Sequence, residues 1–133
     1  MGLLSKILRD GTDGRLTWWC PGCDGAHTIQ TGEGQGPRWG WNGDAERPTF
    51  TPSVLTWWDE PANSHDIDAL KRDIEAARAR RETGATGAEA KIPMLAKRCH
   101  SFVVDGQMQM LGDCTHTLAG QTVPIPPWPG SDQ

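Results

Sequence analysis

The sequence predicts a β-rich α+β fold: a small antiparallel β domain built from hairpins, held by a metal staple and carrying one helical insertion. Short β-prone runs recur between turn signals. The 16 Gly and 10 Pro in 133 residues exclude long helices over most of the chain. Four Cys and four His supply donors for a staple that a thin aliphatic core needs. The length suits one domain over 1–133. Seven Trp, with no Tyr, supply much of the apolar area.

Met1 to Asp10 holds Leu3, Leu4, Ile7 and Leu8, read as a short amphipathic helix or arm stopped by Gly11. Its apolar run is too short for an export signal or a membrane span. Arg15 to Cys20 is a β-prone run that ends at Pro21-Gly22, and His27 to Thr31 is another. Trp39-Gly40-Trp41 leads into Asn42-Gly43, a two-residue hairpin signal. Thr49 to Trp58 is rich in β-branched and aromatic residues, with Pro52 implying an edge or a break. Composition then shifts, and 60–97 reads as a helical, partly flexible insertion. Asn63 or Ser64 caps a helix with Ile67, Leu70, Ile74 and Ala77 on one narrow stripe. Arg78 to Arg81 close it at the end where positive charge is favoured.

The segment from Cys99 to His116, CHSFVVDGQMQMLGDCTH, carries the most information. A two-residue turn at Asp105-Gly106 pairs Val104 with Gln107, Val103 with Met108, Ser101 with Met110 and Cys99 with Gly112. Side chains alternate, so Cys99 and Cys114 share one face as diagonal neighbours, and His100 points to the other. The tail over 121–133 is extended and proline-stiffened.

Cys20-Pro-Gly-Cys23 has the spacing of a zinc knuckle, in which one tight loop aims two thiolates at one ion. Cys99 and Cys114 provide the second pair, so the expected Zn set is Cys20, Cys23, Cys99 and Cys114, with His27, His116 and His100 as substitutes. Redox chemistry is disfavoured because no helical pattern follows Cys23. A zinc deaminase is disfavoured because no H-x-E exists. If the protein is an enzyme, His100, His116 and Asp113 crowd the proposed metal and suit a hydrolase with an open coordination position. Asp44 and Glu46 beside Trp39 and Trp41 read as solvated turn residues before they read as a sugar-handling pair.

A net charge of −4 argues against a general nucleic-acid binder. With no export signal, a reducing compartment such as the cytoplasm is the expected location, and thiols there hold metal before they form disulfides.

The segments WCPGCDGAH (19–27), WGWNGDAERPTFTPSVL (39–55) and CHSFVVDGQMQMLGDCTHTLAGQTVPIP (99–126) resemble a family of small uncharacterised proteins of tailed bacteriophages and prophages, often labelled "ammonia monooxygenase". Cys20, Cys23, His27, Cys99, His100, Asp113, Cys114 and His116 occupy that family's motif positions. A membrane copper enzyme does not fit a chain without a spanning segment. The resemblance implies a phage-encoded zinc domain, located in the host cytoplasm or in a virion. The leading expectation is therefore a non-enzymatic module that binds a phage or host protein. The alternative is a zinc-dependent hydrolase with an open metal position.

Overall fold

The structure, a computed structural model, describes residues 2–130. It is β-rich, with antiparallel sheets and a single α-helix among the described residues. Strands β1 (Gly2–Leu3), β2 (Arg9–Asp10), β3 (Arg15–Cys20) and β4 (Gly25–Gln30) form one sheet in that order. The first ten residues thus make a small hairpin instead of the expected helix or arm: Leu4 N and Ser5 N both donate to Leu8 O, and Ser5 Oγ accepts from Ile7 N and Leu8 N. Leu8 plugs the core with no exposed surface.

β5 (Gly40–Trp41) pairs with β6 (Phe50–Thr51), so Asn42-Gly43 does not close a two-residue hairpin. The side chain of Asn42 instead organises an eight-residue loop, with its Oδ1 accepting from Asp44 N and Thr49 N. Asp44 Oδ1 accepts from Glu46 N and Arg47 N, so this carboxylate is spent on the turn. Pro52 breaks the next run, as its missing N–H requires, and its peptide bond with Thr51 is cis. β7 (Val54–Pro61) follows immediately.

The third sheet has the order β10-β9-β8-β7, with β8 at Met94–Val104, β9 at Gln107–Met110 and β10 at Thr122–Pro124. Asp105 and Gly106 both take positive φ, the requirement of a tight two-residue turn. The ladder then pairs Val104 with Gln107, Val103 with Met108 and Ser101 with Met110, the register counted from that turn. Cys99, Ser101, Val103, Met108 and Met110 are buried, while Phe102, Val104, Gln107 and Gln109 face solvent. Trp18 lies over Phe50 at 5.1 Å between ring centroids, at the centre of a core with Leu16, Ile29, Val54 and Ile125.

Two compact units emerge, one of residues 2–56 with 98–130 and one of 57–97. The second holds α1 (Ile67–Glu82). Its N-cap is Asp66, whose side chain accepts from Ala69 N, and not Asn63 or Ser64. Ala77 is buried, but Ile67 and Ile74 on the same stripe are exposed. Arg80 and Arg81 bind the carbonyls of Glu89 and Ala90, holding the segment that follows α1. No helix among the described residues is long and apolar enough to cross a membrane.

Candidate active site and metal centre

Every residue of both sites belongs to the larger unit. β3 ends at Cys20, and the turn 21–24 returns Cys23 toward it. The Cys99 side chain leaves the buried face of β8, and its Sγ lies 3.9 Å from Cys20 Sγ. His116 Nε2 is 3.4 Å from the same Cys99 sulfur. The donor atoms of Cys20, Cys23, Cys99 and His116 all lie within 4.8 Å of one another, a group able to hold a metal ion. A tetrahedral ion with ordinary Zn–S and Zn–N bonds sets its sulfurs about 3.8 Å apart and a sulfur and nitrogen about 3.6 Å apart. The Cys20–Cys99 and Cys99–His116 spacings match that frame. Gly22 lets the imidazole approach, because a Cβ there would collide with the His116 ring.

His116 stands where regular strand geometry had placed Cys114. The ladder ends at Met110, and Cys114 N bonds back to Leu111 O to close a turn. Alternation therefore stops before residue 114. Cys114 Sγ packs against the His100 backbone, accepting from its N–H at 3.3 Å and donating to its carbonyl at 3.2 Å. His27 stays close to the group, with Nε2 3.6 Å from Cys23 Sγ. The imidazole of His100 points away toward other partners.

Crowding sets the thiols of the group against one another. Hydrogen bonds from Cys23 and Cys99 hold the Cys20 thiol far below its usual range. Donating to Cys20 pushes Cys23 up to about 12 and Cys99 higher still, with burial adding to both. A cation that accepts all three sulfurs as thiolates removes this competition.

On the opposite face of β8 the geometry changes character. Ser53 Oγ lies 2.9 Å from His100 Nε2, and His100 Nδ1 lies 3.2 Å from Asp113 Oδ2. Acyl-transfer enzymes use a hydroxyl, an imidazole and a carboxylate in such a chain of contacts as nucleophile, base and orienting acid. The His100 and Asp113 side chains are 24% and 39% exposed, so the imidazole is reachable from solvent. Arg98 Nη1 sits 3.7 Å from the same carboxylate oxygen. Trp39 Nε1 donates to Ser53 O at 3.2 Å and fixes the backbone of the hydroxyl-bearing residue. A cavity of about 540 Å³ lies against that indole, lined by Thr31, Gly32, Arg38, Trp39, Gly40 and Trp41.

Sequence reasoning named His100 and Asp113 as residues beside a metal and did not name Ser53. The neighbours of Ser53 are Pro52 and Val54, so it lacks the flanking glycines of a G-x-S-x-G turn. Its chain order, Ser before His before Asp, also matches none of the three familiar orders. Only proximity to His100 marks it.

A family model described as "Bacterial ubiquitination-like system serine protease (BubE)" matches residues 4–111 of the 133, and the chain belongs to that family. The match includes Ser53 and His100, while Asp113 and His116 lie beyond its last position. No curated protein and no solved structure matches the chain. Membership in a family described as proteases overturns the expectation of a non-enzymatic phage or virion module, and the hydrolase alternative fits better.

Proposed function

We propose that this member of the BubE family is a serine hydrolase that cleaves an acyl bond of a protein in a bacterial ubiquitination-like system, with Ser53 as nucleophile, His100 as general base and Asp113 as orienting carboxylate. The observation that carries this reading is the unbroken Ser53–His100–Asp113 contact chain. The family description names a bacterial ubiquitination-like system, and the substrate we propose within it is a conjugated or precursor form of a ubiquitin-like protein.

The geometry performs the reaction in two halves. His100 Nε2 takes the Ser53 hydroxyl proton as Oγ adds to the scissile carbonyl, and Asp113 stabilises the resulting imidazolium through Nδ1. Collapse of the tetrahedral adduct expels the amine, which leaves with the proton from His100. Water, deprotonated by the same imidazole, then releases the acyl group from Ser53. The substrate chain enters past Trp39, along the cavity whose wall contacts Ser53 O.

We assign the metal as zinc, because three thiolates and an imidazole form a soft tetrahedral donor set. Four protein donors close such a site, so the ion serves as a structural staple and Ser53 takes the nucleophile's part that the open-site hydrolase reading gave to metal-bound water. Incubation with a fluorophosphonate tests the proposal. A single covalent adduct on Ser53, absent in Ser53→Ala and slowed in His100→Ala, is expected. Hydrolysis of a ubiquitin-like fusion that survives Ser53→Ala would sink it.

A further inference from the structure

Asp113 lies on an exposed turn, yet it must present one oxygen to His100 accurately enough to orient an imidazole. The ladder of backbone hydrogen bonds between β8 and β9 stops short of it, at Met110. Beyond that point Leu111 N still donates to His100 O, and the chain then turns away. Cys114 and Thr115 replace the missing ladder with their side chains. Cys114 Sγ accepts from His100 N and donates to His100 O, at 3.3 and 3.2 Å. Thr115 Oγ1 repeats the arrangement two residues back along β8, accepting from Arg98 N at 3.0 Å and donating to Arg98 O at 3.2 Å. Thr115 N adds a bond to Arg98 O at 2.9 Å.

Two consecutive side chains thus grip alternate residues of one strand, each satisfying both a donor and an acceptor. A hydroxyl can do this because it carries one proton and free lone pairs, and a thiol can do so more weakly. The group of four donors able to hold a metal ion, Cys20, Cys23, Cys99 and His116, does not include Cys114. Cys114 also follows Asp113 directly, so whatever anchors its side chain sets the reach of the carboxylate.

We infer that Cys114 and Thr115 are positioning residues for the triad: a side-chain clamp that docks the 111–115 turn on β8 and holds Asp113 at His100 Nδ1. The inference rests on the serine-hydrolase reading above. It assigns a function to the one cysteine outside the four-donor group and to a threonine that has no other evident task.

The full-length, metal-loaded protein tests it with four variants: Cys114→Ala, Cys114→Ser, Thr115→Val and Thr115→Ser. The readouts are metal content, the rate of fluorophosphonate labelling at Ser53, kcat and KM on a ubiquitin-like fusion, and the NMR signal of the His100 ring proton facing Asp113. Cys114→Ala and Thr115→Val are expected to slow labelling and lower kcat by about 10- to 100-fold, the scale of an ångström-sized misplacement. Metal content and KM should stay unchanged, and the ring-proton signal should broaden or vanish. The two serine variants retain a donor and an acceptor, so they should keep most of the rate. Loss of the metal in Cys114→Ala would overturn the inference by making Cys114 a ligand. Parent-like labelling in both Cys114→Ala and Thr115→Val would overturn it as well. Thr115 is exposed, so its variant reads the clamp without disturbing the core. Ser53→Ala run alongside separates the two readings: if it remains active the triad itself fails, and if it is dead while the clamp variants are normal only the clamp fails.

Discussion

Cys99 and His100 are consecutive residues of β8 whose side chains leave the strand on opposite faces and enter different chemistry. The Cys99 sulfur contacts Cys20 and His116 in the metal-binding group, while the His100 imidazole spans Ser53 and Asp113. Strand alternation alone produces this division. A metal held one residue from the proposed general base would limit how far that base can drift, because the Cα positions are joined by a single peptide unit. The Cys, His and Asp that stand close in the sequence thus divide between two clusters of side chains on the two faces of β8.

Asp113→Asn should leave the fold and metal content intact and lower kcat by about two to four orders of magnitude. An amide can pair with the wrong imidazole tautomer and does not stabilise the imidazolium. Steady-state kinetics with the ubiquitin-like fusion measures the effect. A loss confined to KM would remove Asp113 from the orienting role.

One cation per chain is expected by elemental analysis, with a thiolate-rich spectrum on cobalt substitution. Chelation should lower the Tm by about 10 °C or more, since ligand binding contributes directly to folding. Gly22→Ala, which forces a side chain into the His116 ring, should weaken metal retention with no change in donor count. Competition with a chromophoric chelator compares the two proteins.

Metal uptake should release protons, because Cys23 and Cys99 hold theirs well above the usual thiol range when no cation is present. The sign follows from the direction of those shifts. Raised thiol values mean that protons must leave for the cation to bind, so affinity should fall as pH falls. Calorimetric titration in buffers of different ionisation enthalpy counts the protons, and a buffer-independent heat would contradict the thiolate set.

Trp39→Phe removes the hydrogen bond to Ser53 O and keeps most of the ring. It should reduce kcat by about 3- to 10-fold, the equivalent of one ordinary hydrogen bond of about 1 kcal/mol. Fluorophosphonate labelling rates provide the comparison. An unchanged rate would show that the backbone of Ser53 is held by its strand neighbours instead.

Phe50→Ala empties the space under Trp18 and should cost about 3–5 kcal/mol in urea unfolding of the metal-loaded protein. It also lies three residues before Ser53, so a parallel loss of labelling is expected wherever the core relaxes.

Local chemistry was legible along the chain. The β3 run ending at Cys20, the Cys20–Cys23 knuckle, the positive-φ turn at Asp105-Gly106 and the register on both sides of it follow from residue types and spacing, because each depends on neighbours a few positions away. The β-rich class followed from those pieces together. Where local signals competed, tertiary contacts decided. Asn42 spent its side chain on a wide loop, Asp66 took the cap expected of Asn63 or Ser64, and the first ten residues paired as strands. The fourth donor of the metal group depended on a turn at Leu111–Cys114 that ends the alternation, so His116 arrived where extrapolation had put Cys114. Ser53 was hidden for a deeper reason. The role proposed for it comes from meeting a histidine 47 positions away on β8, and a serine between proline and valine carries no mark of that meeting. Periodicity and spacing report what neighbours along the chain do. A triad assembled from three separate segments exists only once the sheet has brought them together.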